Sequence, residues 1–431
     1  MEISNLASVR FLIVMRRIIR VSIASWMLLF LSGEGFYHRN VQIQLGHLVA
    51  GRQFNFLNWT VQEVAETAAQ AVSDPQNYLS TGVRSQIVKD YFELLGNALD
   101  IQSDIEQAYA DPEITDAVST TKVASAELQA IRDQLTTMQP LAENILQEHI
   151  SGTLIHEGFG VMGWLMPPVT FRVTQLPEQM VVSPRDRIEL VATISLSPRL
   201  GLQEHVELEE RVDKRLGMAS VVLPIAGLST FPAMVYETSD LIHVVEIGAH
   251  EWVHLYLATR PLGLAYDSSP EMRTMNETTA NIVGKAIGSR LIERYFPEEA
   301  LRSAKEIQDP DAAIDYPESF NFRREMWETR VRTEELLSEG HIEHAETYME
   351  ERRSLFLDHG YRIRKLNQAY LAFHGAYADE PGAAGKDLIG PAVVELWEHC
   401  NSIRDFVIAM SGVTSFGDLE AILDSDQCFG A

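Results

Sequence analysis

The sequence predicts a helix-rich α+β fold. Helical patterns, with apolar residues recurring every three or four positions, flank the middle of the chain on both sides. In that middle, short β-branched runs are separated by proline, glycine and serine, as in a small sheet with turns. A helix bearing closely spaced histidines follows the last of these runs. The 431 residues divide accordingly into 1–34, 35–165, 166–296 and 297–431.

Residues 1–34 read as a signal-anchor or signal peptide. Arg10, Arg16, Arg17 and Arg20 precede an apolar run from Val21 to Ser32. Met15 opens a tidier version of the same pattern, so the chain start is open between Met1 and Met15. The run falls short of the roughly 20 residues of a comfortable membrane helix, and a buried amphipathic helix is the alternative. As an uncleaved anchor, its positive residues face the cytoplasm and leave the rest of the chain outside. With the segment cleaved, the protein is secreted.

From 35 to 165 a helical region is expected. Thr60-Val61-Gln62-Glu63 has the form of a capping box. Ala124, Leu128, Ile131, Leu135, Met138, Ala142 and Ile145 form a heptad-like stripe, which Pro140 should bend or interrupt. In 166–296, strands are expected at Val169–Val173, Ile188–Leu196, Ser220–Leu223 and Thr230–Tyr236. Ser239-Asp240 then cap a helix running to Thr259, and a second helix covers Asn276–Arg294. Beyond the prolines at 297, 310 and 317 lies a helical C-terminal lobe.

Composition narrows the function. The net charge of −26 lacks the basic footprint that supplies most nucleic-acid affinity, so no nucleic-acid partner is expected. With 46% hydrophobic residues the chain is not intrinsically disordered. Cys400 and Cys428 are the only cysteines, which excludes a disulfide framework and allows one bridge. The charge is also split, +3 over residues 1–20 and −29 over the rest, matching an anchor inside and an acidic body outside.

The string that carries chemistry is Ala249-His250-Glu251-Trp252-Val253-His254. Histidines at i and i+4 share one helical face and can grip one metal ion, and Glu251 between them can serve a water there as general base. Zinc suits such a site, because three protein ligands leave a position open and the pKa of water on the metal drops to about 7. Glu277, on the next expected helix, completes a His₂Glu set. Asn281, one turn later, is placed to accept the second N–H of a ligand histidine. Two uninvolved histidines on a helix are the competing interpretation, and the third ligand weighs against it.

These residues resemble the gluzincin metallopeptidases, the thermolysin-like clan with HExxH and a downstream glutamate. His250, Glu251, His254 and Glu277 match that motif within Ser220–Ser289. The clan often has aspartate where this chain has Asn281. The resemblance implies a zincin-like core, a small sheet packed on the metal helix, and a zinc peptidase acting on peptide or protein substrates. Leu366–Leu371 with Tyr377, and Gly35–Gly46, are more distantly similar to a family of bacterial membrane-anchored aminopeptidases. That family's anchor cysteine and phenylalanine-rich run are absent here.

Tyr377, then His374, are candidates to donate to a developing oxyanion. With Tyr370 they fall at i, i+4 and i+7 of one helical face, a spacing that an aromatic core stripe would share. A catalytically silent, membrane-tethered scaffold is the alternative to an enzyme, and Glu251 argues against it. Lesser signals are Gly158–Gly163, which fits a dinucleotide motif but leaves no room for its helix, and His341–His344, expected on a solvated face. Asn58 and Asn276 head glycosylation sequons, and Glu246 is open between a supporting role and plain surface. The strand Thr230–Tyr236 could be a sheet edge that pairs with an extended peptide, or an internal strand.

Overall fold

Among the described residues, five helices precede the first strand: α1 (Arg39–Leu48), α2 (Phe56–Gln70), α3 (Thr81–Ala110), the short α4 (Ala117–Thr120) and α5 (Lys122–His156). The structure is a computed structural model, and it describes residues 39–70, 79–111, 114, 116–198, 200–308, 320–379 and 382–425. The expected anchor over 1–34 and Cys428 lie outside the described residues. The chain divides into two compact units, Met1–Arg39 and Asn40–Ala431, and the sheets and the histidine-bearing helix belong to the second. No helix among the described residues is long and apolar enough to cross a membrane.

The stripe expected over 124–145 lies on α5. Leu135, Ala142 and Ile145 are buried, with Leu128, Ile131 and Met138 packed on the same core as Val88, Tyr91 and Leu95 of α3. Pro140 sits inside α5 without ending it. Burial of the turns on both sides outweighs the loss of one backbone hydrogen bond. Thr60 does not begin a helix: Asn55 does so, its Oδ1 accepting from the Asn58 amide at 3.0 Å, and Thr60 is buried within α2.

The strands form two sheets. β1 (Phe171–Thr174), β2 (Glu178–Ser183) and β3 (Ala192–Leu196) precede helix α6 (Leu202–Leu216), which was not expected. β4 (Ala219–Leu223), β5 (Gly227–Leu228) and β6 (Ala233–Tyr236) follow. One sheet has the order β3-β2-β4, all antiparallel, with Met180 opposite both Ile194 and Val222. The other has the order β1-β6-β5, with β6 parallel to β1 and antiparallel to β5. Of the two readings of Thr230–Tyr236, the internal one holds: β6 is the central strand of its sheet, with β1 and β5 at the edges.

Helix α7 (Leu241–Leu257) packs on the second sheet, and α9 (Pro270–Tyr295) packs on α7. α7 starts where Asp240 accepts from the His243 amide at 3.0 Å. After the single turn α8 (Pro261–Leu264), α9 begins earlier than expected. Ser269 caps it, accepting from the Met272 amide, and Pro270 occupies its first turn, where a missing N–H costs nothing. Among the described residues, α7 and α9 make the most extensive helix contact. Two glycines permit it: a Cβ on Gly284 would lie 2.7 Å from the Glu246 carbonyl oxygen, and one on Gly288 2.6 Å from Glu246 Cγ.

The remaining helices are α10 (Pro297–Gln308), α11 (Phe322–Ser338), α12 (Ile342–Asp358), α13 (Gln368–His374), α14 (Ile389–His399), α15 (Ile403–Ser411) and α16 (Phe416–Asp424). α13 lies on β2 and β4, where Ala369 joins Val181, Val221 and Leu223. α14 and α15 pack on α9, so the core around the histidine helix draws apolar side chains from Val88 to Leu419. Among the described residues the protein is helix-rich with small sheets, an α+β protein.

Candidate metal centre

His250 and His254, one turn apart on α7, point the same way. Their Nε2 atoms are 2.9 Å apart. Glu277 reaches them from α9, its Oε2 lying 3.5 Å from His250 Nε2 and 3.4 Å from His254 Nε2. Bonds of about 2.0–2.1 Å to zinc in a tetrahedron set ligand atoms about 3.4 Å apart, close to this triangle. Glu277 Oε2 is buried and accepts no hydrogen bond, although its residue is only 6% exposed. A buried carboxylate oxygen left without a donor, facing two ring nitrogens, is the arrangement a cation completes. These three residues are the group of side chains that could hold a metal ion among the described residues.

No family model matches the chain, and no curated protein or solved structure matches it.

The candidate ligands are held from behind. His254 Nδ1 lies 2.8 Å from Asn276 Oδ1, and in the neutral tautomer that donates there Nε2 keeps the lone pair a metal would take. Asn276, 1% exposed, also donates to the Leu262 carbonyl. Asn281 does not take the expected part. Its amide donates to Asp379 at 3.0 Å, the carboxylate that Lys285 also holds, and Asn276 takes the place beside His254. The Tyr266 hydroxyl donates to the other Glu277 oxygen, Oε1, and its ring meets that of His254 edge-on at 6.1 Å. Burial opposes ionisation of Glu277, but His254 and His250 outweigh it and hold the carboxyl well below the usual range. Burial likewise opposes protonation of His254, and Glu277 outweighs it, raising the imidazole to about 9.

Glu251 is 4% exposed, and burial raises its pKa, opposed by the two histidines and by a hydrogen bond from Ser229. The Ser229 hydroxyl donates to Glu251 Oε2. The edge strand β5 runs directly over this carboxylate, and a Cβ at Gly227 would overlap Glu251 Oε1. Glycine is thus required for the strand to approach the Glu251 carboxylate so closely.

Tyr377 lies outside any helix. α13 ends at His374, since Gly375 is wedged against the Leu371 carbonyl, Arg330 and the Ala383 carbonyl, where no Cβ fits. The expected three-residue helical face is therefore broken. Tyr377 nonetheless lies within electrostatic reach of the site: burial, then Glu277 and Glu251, raise its phenol well above the ordinary value, so it remains a donor. Its segment is pinned to α9 by Asp379, which accepts from Asn281 and, at 2.7 Å, from Lys285. The Ala378 amide donates to Thr278 Oγ1 at 3.4 Å. His374 instead packs its ring against Tyr370 at 4.3 Å and Phe373 at 5.3 Å, and burial lowers it to about 4. It belongs to an aromatic cluster.

Asn276, Ser229, Tyr266, Gly227 and the pair Gly284/Gly288 were not anticipated. The glycine pair had a visible signal, small residues four apart on a helix facing another. Ser229 and Tyr266 had none, since their contacts join residues brought together only by the fold. His341 and His344 are exposed, as expected. The Asn276 sequon is buried, whereas Asn58 is exposed. Glu246 lies at the α7–α9 crossing, beside Gly284 and Gly288.

Proposed function

We propose that this protein is a zinc-dependent metallohydrolase, of gluzincin type with a zincin-like core, and that its reaction is peptide-bond hydrolysis. The observation that carries the reading is the triangle of His250 Nε2, His254 Nε2 and the unpartnered Glu277 Oε2, with the Glu251 carboxylate buried beside it. His250, His254 and Glu277 would hold the ion. Bound there, zinc supplies Lewis acidity toward a carbonyl oxygen and a lowered pKa for water.

The protein's own groups do the rest. Glu251 takes a proton from the attacking water and passes it to the leaving amine, while Ser229 fixes the carboxylate's orientation. The Tyr377 phenol, kept protonated by its surroundings, donates to the oxyanion as it forms. Asn276 and Tyr266 hold the ligands in place. An extended substrate pairs with β5, the edge strand over Glu251.

The basic and then apolar run within residues 1–34 supports a membrane-anchored, extracytoplasmic body, or a secreted one once that segment is cleaved. The test is metal content together with turnover. Purified protein should carry one zinc per chain, His250→Ala and Glu277→Ala should lose it, and Glu251→Gln should keep it without turnover. Full zinc retention in both ligand variants would refute the site.

A further inference from the structure

From Gly158 to Phe171 the chain has no ionisable side chain, in a protein where 61 acidic residues face 35 basic ones. Part of this stretch is a tight turn. The Val161 amide donates to the Trp164 carbonyl at 2.8 Å and the Trp164 amide to the Val161 carbonyl at 3.0 Å. Met162 and Gly163 between them both have positive φ, 53° and 78°. Such a turn favours asparagine followed by glycine, because a larger side chain is strained in the left-handed region. Met162 is the one non-glycine residue with positive φ among the described residues. Its side chain gains nothing in return from the fold, being 94% exposed. Val161 is 70% exposed, Met166 45% and Trp164 42%.

The base of the turn is fixed. Phe159 is buried edge-on against Trp252 at 5.3 Å and Tyr256 at 5.5 Å, both on α7. The Trp252 indole N–H donates to the Pro167 carbonyl at 2.8 Å. Arginines surround this base. The Arg404 Cδ would lie 2.8 Å from a Cβ on Gly158, Arg290 pairs with Glu157 at 3.4 Å, and Arg260 stacks 3.4 Å over the Tyr256 ring. An apolar, uncharged tip with a tryptophan behind it and arginines around it matches the layers of a bilayer surface. Apolar side chains enter the acyl boundary, the indole sits at headgroup level, and guanidinium groups meet phosphates. A second copy of the chain fits less well, because a two-fold contact through this turn would bring the arginines of one copy against those of the other.

We propose that the turn Val161–Trp164, with Met166 and the arginines at its base, docks the protein body on a phospholipid surface containing anionic headgroups. This inference does not rest on the hydrolase reading.

The test uses the full chain with Cys400 and Cys428 replaced by serine. A polarity-sensitive fluorophore is placed at Met162→Cys or, as control, at Val123→Cys, a position 79% exposed on α5. Vesicles are phosphatidylcholine with a minority of phosphatidylglycerol, or phosphatidylcholine alone. With the anionic vesicles, the label at 162 should shift to the blue and be quenched severalfold more than the label at 123 by acyl-chain spin labels. Omitting phosphatidylglycerol, or adding Arg404→Gln, should weaken that difference. The proposal is overturned if the chain does not associate with vesicles, or if both labels are equally open to aqueous iodide. A blue shift without vesicles that grows with protein concentration would assign the turn to self-association instead.

Discussion

His254 Nδ1 lies 2.8 Å from the Oδ1 of Asn276, the residue immediately before Glu277. One stretch of α9 thus supplies both a candidate ligand and the group that orients another. Asn276→Ala should lower zinc affinity roughly 10–100-fold, the usual effect of removing a partner of a ligating histidine. Asn281→Ala, whose amide meets Asp379, should leave zinc affinity unchanged. Competition with a chromogenic chelator measures both, and equal losses in the two variants would contradict the assignment.

Ser229 donates to the Glu251 carboxylate and lowers its pKa against the effect of burial. Ser229→Ala should therefore raise it further. A general base acts only when ionised, so the acid limb of the kcat/KM profile should move to higher pH, with little change above it. An acid limb in the same place as wild type would exclude Ser229 from this role.

Gly284 brings α9 against α7, with 2.7 Å between its Cβ position and the Glu246 carbonyl and 3.1 Å to His250 Cβ. Gly284→Ala should cost about 1–3 kcal/mol in urea unfolding, the range for overpacking. Zinc affinity should fall with it, because the crossing sets the distance from Glu277 to the histidines. Gly82→Ala, with open space around it, should be neutral or slightly stabilising.

His149 is buried, stacked at 3.9 Å on Tyr295, and its Nδ1 has no partner. Burial, then Arg84, lower its pKa to about 4. Between that value and the unfolded value of about 6.5, the unfolded chain binds the extra proton, so stability falls as pH falls through this window. The loss should approach about 3 kcal/mol at pH 4, taking 1.36 kcal/mol per pKa unit. Metal-free His149→Phe protein should lack this component of acid destabilisation in denaturant melts. Identical pH dependence in the variant and wild type would show that His149 does not carry it.

The motif residues were legible because their chemistry is local. Histidines at i and i+4 share a face of any helix, and Asp240 and the Arg260-Pro261 step bound that helix as expected. Glu277 was legible from the helical pattern that carries it. The supporting contacts were not. Asn281 was nominated by counting one turn along a single helix and Asn276 was not considered for the part, whereas the partner depends on how α9 crosses α7, where Gly284 and Gly288 allow the close approach. Tyr377 lies in a non-helical segment held by Asp379, so the helical spacing that nominated it is not what places it. β2 (EQMVVS) was missed because it is buried at almost every position, so it shows no alternation, and it has only two β-branched residues. The equally buried β4 was legible from its Val221-Val222-Leu223 run, whereas β5 has two residues and no pattern at all.

The central claim is that Glu251 moves a proton for a zinc ion held by His250, His254 and Glu277. The most direct test compares the cleavage products of a peptide library between wild type and Glu251→Gln, each first shown to hold one zinc per chain. The expected result is defined cleavage by wild type and none by Glu251→Gln at equal zinc content. Equal cleavage by both, or none by zinc-loaded wild type, would contradict it.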